Sequence, residues 1–503
     1  MPSRLIRTAG CQALSSRAEV TTRSAGADDS CPVVQSMKPR TIISDFGNRR
    51  LGDLRSGHIE ASATMLTLKR VIGAGGLALT AVNIIVGAGI FGLPSIVAAG
   101  LGAGAVLAYA VCAVLVGLVG LCFAEAGSRV GGAGGLYAYV TVPFGSVVGG
   151  VAGTLLWFAT GAAASGAVVN LLVDTLAAVT PVLGGSLPRA VLIVSLYGVL
   201  AAVNVGGTRS GLRLNALLAL IKLAPLVLLA LAGIFLIRGA NLQWTGVPTL
   251  PALGHGVVVI FFAFMGLETA LCTSGEVRDS ARTVPRAILM ALTLVTVLYV
   301  TLQLTAQGVL GTDLPQTDAP LVAVARAVWG TWGAGLMVAA TLLSLTGLLT
   351  GDALCSPRIL YALAERGQLP GRLSIVHRRY HTPAFAIAAY AIICATLAVS
   401  GSFRQLVLIA SSGTLCVYLV CCLGVLRLRA RNVATETEPF RAPGGPFVPL
   451  AASAIIVGAL LSLQWNELIA ALGLILAAGT AYLLQERAQV RRSRLTLADP
   501  LQR

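Results

Sequence analysis

Between Val71 and Leu101 the chain runs for about thirty residues without a charge, enough to cross a hydrocarbon core of about 30 Å at 1.5 Å per residue. Three glycines (Gly87, Gly89, Gly92) and Pro94 fall in its middle. In a helix interior a glycine costs about 1 kcal/mol relative to alanine and a proline about 3 kcal/mol, so this composition predicts an interruption rather than a gentle bend. Unwound backbone is stable at membrane depth only where protein buries it or where it lines a cavity. Two roles are therefore open to the stretch. Its freed N–H and C=O groups bind something near the bilayer midplane, or its glycines form a packing surface for a neighbouring helix.

The whole chain has the same apolar character. Of its 503 residues 56% are hydrophobic and 11% charged, and the mean hydropathy is +0.85. No soluble domain has this balance, and the fold class it predicts is an all-α polytopic membrane protein. The net charge of +16 comes from arginines placed in short loops between apolar runs. That pattern orients helices and calls for no nucleic acid partner. Ten cysteines are scattered, mostly inside apolar runs, with no CxxC pair or metal-ligand spacing, so no metal or other cofactor is expected.

Residues 1–68 are polar, rich in Arg and Ser, and read as a disordered extension. Three origins are open to residues 1–64: a transit peptide, a cytoplasmic tail, or sequence upstream of a true start at Met65. From there, twelve apolar runs of spanning length follow, at about 71–101, 103–127, 143–178, 188–205, 212–237, 253–276, 286–310, 319–350, 383–400, 404–426, 446–464 and 467–485. An even number puts both termini on one side. The loops on that side carry fifteen arginines, while the opposite loops carry only Arg189, Arg238, Arg326 and Arg404. This asymmetry predicts cytoplasmic termini, with the cell's plasma (inner) membrane as the location.

The sixth run repeats the anomaly of the first, because Gly266 and then Glu268 follow Phe261-Phe262-Ala263-Phe264-Met265 inside apolar sequence. An ionised acid there costs several kcal/mol unless it faces a cavity. The two anomalies occupy matching places in two five-helix blocks, 71–237 and 253–426. Interrupted helices at equivalent positions in two halves point to an inverted-repeat transporter with a midplane site. The predicted organisation is a transport core over 69–427, two further helices over 428–486, and a cytoplasmic tail over 487–503.

Several segments carry a family resemblance: TAVNIIVGAGIFGLP, FAEAGSRVGGAGGLYAYV, FFAFMGLETALCTSGEVRDSARTVPRAI, and SPRILYALAERGQLP with the following HTP. In order and spacing the chain resembles the amino acid–polyamine–organocation permeases from residue 70 to about 485. The resemblance implies about twelve transmembrane helices, with a 5+5 inverted-repeat, LeuT-like core whose helices 1 and 6 are broken. It also implies secondary transport of amino acids or related amines, by proton symport or by exchange without net proton movement.

The residues suit that chemistry. Freed amides at Gly87, Ala88, Gly89 and Ile90, at the positive end of a half-helix beginning near Phe91, suit a carboxylate. Carbonyls released around Phe262, Ala263 and Phe264 suit an ammonium. By the resemblance, Phe262, Met265 and Trp157 would wall the substrate's side chain, although plain packing is the commoner role of such residues.

Lys222 stands apart because the chain has only three lysines (Lys38, Lys69, Lys222) among 36 basic residues. It lies about ten residues into the fifth run, where only lysine, not arginine, can release its proton. A proton-coupling site and a lysine snorkelling to the cytoplasmic edge are both open to it. Glu268 is the second proton-coupling candidate. Glu125 and Asp352 fall near the cytoplasmic ends of spans, where they are expected to meet water or arginines. Glu276 reads as a gate, a packing motif or a solvated acid. Ser344 and Thr346 are candidates for the region opposite Lys222. His377 and His381 lack the further ligands a zinc site needs.

Other classes fit poorly. A channel needs a continuous polar lining, and these spans carry isolated polar residues. An enzyme needs a nucleophile, base or metal constellation. Of the four histidines only His255 falls in an apolar run, near the start of the sixth, and no catalytic residue is nominated. The outer loop 180–189 has no cysteine, so a disulfide-linked heavy chain is not expected. The expected partners are a small amino acid or amine, protons and the lipid bilayer.

Overall fold

The interruption at Gly87 divides the first apolar run into two helices in the computed structural model, α1 (Ala74–Ile85) and α2 (Ala88–Leu101). The structure describes residues 73–482, except 131–134, 207–211, 245, 267–279, 366–368, 381, 435–438, 474, 477–478 and 481. Among these residues every regular element is helical. After α2 come α3 (Ala105–Val130), α4 (Gly135–Phe144) and α5 (Ser146–Leu156). A π-helical turn (Trp157–Ala163) then leads directly into α6 (Ala164–Ala177). Next are α7 (Ser186–Gly206), α8 (Leu212–Gly233), α9 (Leu250–Phe264) and α10 (Ser280–Leu310). The chain continues as α11 (Pro320–Glu365), α12 (Ala384–Ser400), α13 (Phe403–Ala430), α14 (Phe447–Leu461) and α15 (Trp465–Gly473).

Six helical stretches among the described residues are long and apolar enough to cross a membrane, and shorter apolar helices accompany them. Large apolar side chains stand outside the packed interior, among them Phe235, Trp332, Ile392 and Leu476. Such a surface suits a lipid environment and not water.

Several boundaries differ from those expected. The second half-helix does not begin near Phe91: α2 begins at Ala88, three residues earlier, because the non-helical backbone of Gly87 (φ −127°, ψ −143°) caps it, and Pro94 lies inside it. The third run opens at Ser146 rather than 143, since Gly145 (φ +93°) separates it from α4. The eighth run does not stop near 350. It continues to Glu365 through Ser-Pro-Arg-Ile-Leu, with one kink at Gly330 (φ +72°). Pro357 is accommodated within it. The last two helices are bent by 117° to one another.

Packing places the two interrupted helices at the centre. α1 lies against α10, and α10 against α3. α2 lies against α9, which also packs on α3. α8 runs along α11, α13 touches α6, and α12 pairs with α7.

Candidate functional site

A helix end inside a membrane protein leaves carbonyls that need donors. At the end of α1 those donors are supplied one by one. The Val86 N–H donates to the Val82 carbonyl at 2.9 Å. The Asn83 carbonyl accepts from Lys222 Nζ at 2.5 Å. The Ile85 carbonyl accepts from the Tyr299 hydroxyl at 3.1 Å. Backbone at Val86 (φ −71°, ψ 90°) and Gly87 then leaves helical geometry, and α2 restarts with Gly87 to Ile90 at its first turn, where amides have no partner within a helix; the Gly87 amide meets the Tyr299 hydroxyl.

The second interruption follows α9. Met265 takes an extended conformation (φ −64°, ψ 154°), its N–H reaching the Phe262 carbonyl at 3.4 Å, and Gly266 turns at φ +107°. That dihedral is one an L side chain rarely adopts. The same Tyr299 hydroxyl that meets Ile85 also donates to the Ala263 carbonyl at 3.0 Å. One fully buried side chain on α10 thus clips the two breaks together.

The breaks also touch directly. A methyl group at Gly89 would lie 2.5 Å from Ala263 Cα, and one at Gly266 would lie 2.8 Å from Ile84 Cγ2. Glycine at 89 therefore has a packing reason. In this conformation the space of its missing side chain is taken by the backbone of α9. At Gly87 the neighbour is Leu348 of α11, 2.9 Å from where a methyl would sit.

The side chains around this junction are apolar. Phe262 packs edge-on against Phe403 at 6.2 Å, Phe264 against Tyr299 at 5.3 Å, and Phe261 against Tyr418 at 5.3 Å. Phe403, at the first turn of α13, also lies 2.7 Å from where a methyl at Gly92 would be. Met265, Ile90 and Phe91 are buried beside them. The buried Trp157 donates its indole N–H to the Ser356 carbonyl of α11 at 3.1 Å.

Lys222 is buried, and its ammonium sits at the carbonyl end of α1, where the helix dipole is negative. The four ion pairs formed among the described residues do not include it. This arrangement replaces the snorkelling alternative, since Nζ turns inward onto α1. Ser344 is buried with an unpaired hydroxyl, whereas Thr346 is exposed and does not line this region. Glu268, Glu276 and His381 lie outside the described residues. His377 is exposed, stacks on Tyr380, and accepts from the amides of Arg379 and Tyr380. No group of potential metal ligands forms among the described residues.

Two acids behave differently from one another. Glu125 is fully buried between two arginines, as one alternative had it: Arg129 Nε at 3.0 Å and Arg429 Nε at 2.7 Å, with the Ala442 amide at 2.9 Å. Asp352 is half-buried, and no ion pair formed among the described residues includes it. Because α11 continues past 350, it lies within the helix, accepting from Ser356 Oγ at 2.5 Å and from the Tyr390 hydroxyl. Tyr299, Phe403 and Tyr390 had not been singled out from sequence. A lone tyrosine within an aliphatic run, such as LVTVLYVTLQL around Tyr299, was the available signal.

The described geometry holds two apposed helix breaks, a buried ammonium and no nucleophile or metal constellation. Comparison with known proteins agrees with a transport architecture. The chain is 26% identical to a branched-chain amino acid permease of Bacillus subtilis over 88% of this chain and 98% of that protein. A methylthioribose transporter of the same organism is 26% identical over 80% of this chain and 91% of its own length. A serine/threonine exchanger of that organism is 27% identical over 77% and 89%. The family match, described as amino acid permease, covers residues 64–477, and with most of its length matched the chain belongs to the amino acid permease family, whose members are membrane transporters and not enzymes.

Proposed function

We propose that the protein is a secondary active transporter of a neutral amino acid with an apolar side chain, bound where the breaks of helices 1 and 6 meet and driven by protons. The observation that carries this reading is the junction itself. The first turn of α2 touches the carbonyl end of α9 where Gly89 meets Ala263, which brings helix-start amides and helix-end carbonyls together as the carboxylate and ammonium of a zwitterion require. Phe262, Met265 and Phe403 supply an apolar wall. The branched-chain permease among the relatives handles such side chains by its name.

The twelve-span, 5+5 organisation belongs to the same reading, with the core over 69–427 and both termini cytoplasmic. Packing supports it: α1 rests on α10 while α9 rests on α3, and α8 rests on α11 while α13 rests on α6. These pairs exchange when the first five spans are swapped with the second five. Lys222, holding the end of α1, and Glu268 are the residues proposed to bind the coupling proton. Trp157 is retained only as a support of the site, through Ser356.

Exchange without net proton movement is the second reading, favoured by the serine/threonine exchanger among the relatives. Proteoliposomes loaded with or without internal amino acid, and challenged with a pH gradient, separate the two. Accumulation of valine, leucine or isoleucine on the gradient alone is the expected result. Uptake only against internal substrate would establish exchange. Failure to move any amino acid under either condition would overturn the proposal.

A further inference from the structure

Away from the helix breaks, one carboxylate is held by hydroxyls from several helices. Asp352 on α11 accepts from Ser356 Oγ at 2.5 Å and from the Tyr390 hydroxyl of α12. Tyr390 OH lies 3.0 Å from Ser165 Oγ on α6, which lies 3.0 Å from the Tyr197 hydroxyl of α7. The Gly161 carbonyl is a further acceptor for Tyr390 at 3.4 Å. Gly161 belongs to the π-helical turn Trp157–Ala163, whose wider spacing disturbs the regular i→i−4 ladder, and such turns recur at functional sites. A methyl group at Gly161 would come within 3.0 Å of Ser356 Oγ, so the missing side chain lets α11 approach.

Tyr390 has one hydroxyl proton and three acceptors within reach: Asp352 Oδ2, Ser165 Oγ and the Gly161 carbonyl. With Asp352 ionised, the proton points at the carboxylate. When Asp352 takes a proton on Oδ2, that O–H donates to the Tyr390 oxygen, and the tyrosine proton turns to Gly161 or Ser165. Every polar atom of the group keeps a partner in both states. A carboxylate serving structure alone needs only one of them.

Among the described residues the carboxylate has no counter-ion. The facing titratable groups are Tyr390 and Cys394 from α12, Tyr197 from α7, and Cys355 and Arg358 on α11 itself. Arg358 donates to the Leu354 carbonyl, Lys222 of α8 is committed to Asn83, and Asp174 of α6 is paired with Arg189. No ion pair formed among the described residues includes Asp352. An unpaired carboxylate within a spanning helix is a functional-site signature. Its network reaches Trp157 through the Ser356 carbonyl, and through α6, α7 and α12 it joins four helices that pack together.

We propose that Asp352 is a proton-binding site of this protein, and that its occupancy is transmitted to α6, α7 and α12 by reorientation of the Tyr390–Ser165–Tyr197 hydroxyl chain. The site is separate from Lys222. Its link to transport rests on the proton-driven reading above, whereas proton binding itself does not.

The test is infrared difference spectroscopy of the full-length protein in lipid, titrated with acid, beside Asp352→Asn, Tyr390→Phe and Glu125→Gln. A carbonyl-stretch band of a protonated carboxylic acid is expected in the parent, lost in Asp352→Asn, shifted in Tyr390→Phe, and kept in Glu125→Gln. Size-exclusion profiles establish that each variant is folded, and should Asp352→Asn fail to fold, the shift in Tyr390→Phe decides. A band unchanged in both variants would overturn the proposal even if amino acids are transported. A band lost as expected supports the site even if no amino acid moves. In proteoliposomes that exchange amino acid, Asp352→Asn is expected to lose the pH dependence of exchange while retaining exchange.

Discussion

Replacing Tyr299 with phenylalanine isolates the clip between the two helix breaks. The ring stays, and with it the edge-on contact to Phe264 at 5.3 Å, so the change opens no cavity. What goes is one hydroxyl proton shared between the carbonyls of Ile85 at 3.1 Å and Ala263 at 3.0 Å. Leaving a buried acceptor unsatisfied costs about 1–3 kcal/mol. Since one proton serves both carbonyls, the loss is of that size once and not twice. If both carbonyls are bridged only in the conformation described here, the ratio of this conformation to others falls by roughly 5- to 150-fold at 1.4 kcal/mol per tenfold. The expected outcome is a lower melting temperature in detergent, together with a change in substrate affinity of the same order. Thermal-shift measurement and equilibrium binding of a transported amino acid check it. A Tyr299→Phe protein with parental melting temperature and parental affinity would show that the shared hydroxyl does not hold the breaks together.

Other substitutions test separate parts of the site. Gly89→Ala puts a methyl 2.5 Å from Ala263 Cα, and overpacking of this kind costs about 1–3 kcal/mol, so substrate binding should fall sharply while Gly117→Ala, which meets nothing within 4 Å, is neutral in the same binding assay. Lys222→Ala should abolish accumulation on a pH gradient, and Lys222→Arg, which cannot release its proton, should bind substrate without accumulating it; gradient-driven uptake by the arginine variant would make this lysine a structural charge. Glu125→Gln leaves Arg129 and Arg429 facing a neutral group, and breaking a buried pair costs about 3–5 kcal/mol, so folded yield measured by size-exclusion chromatography should drop with little change in the affinity of what remains.

Much of this site was legible because membrane burial turns backbone chemistry into sequence. Gly87 and Gly266 mark both interruptions, since departures from helix in lipid demand residues that tolerate unusual dihedrals and close approach. Lys222 was legible as an isolated ammonium in an aliphatic run. What sequence did not disclose is pairing across helices. Nothing near Tyr299 in the chain says that it faces Ile85, 214 residues away, and Ala263, 36 residues away. Asp352 was placed near a helix end because the eighth apolar run stops at about 350, but the helix itself accommodates Pro357 and α11 carries on to Glu365. Trp157 was assigned from resemblance alone, and its indole N–H is spent on Ser356.

The freed carbonyls at the end of α1 also explain why a lysine suits position 222. A fixed hydrogen bond could have been supplied there by a serine or an asparagine on a closer helix, without burying a charge. Lys222 Nζ instead reaches Asn83 with no carboxylate to compensate it among the described ion pairs, an arrangement that costs several kcal/mol to desolvate and is repaid only in part by the helix dipole. A neutral amine in the same place is a weaker donor and carries no attraction to that dipole, so losing the proton loosens the end of α1 without removing any side chain. The end of α1 and the first turn of α2 are one residue of extended backbone apart from Gly87, so a change in how Asn83 is held is felt at the amides proposed to bind the substrate carboxylate. On this argument protonation and substrate binding favour the same arrangement of the break, and each is expected to strengthen the other by an equal factor. Measuring substrate affinity at several pH values in the parent and in Lys222→Met tests that reciprocity directly. The parent should bind more tightly as pH falls and the methionine variant should not; a pH dependence equal in both would remove Lys222 from the coupling.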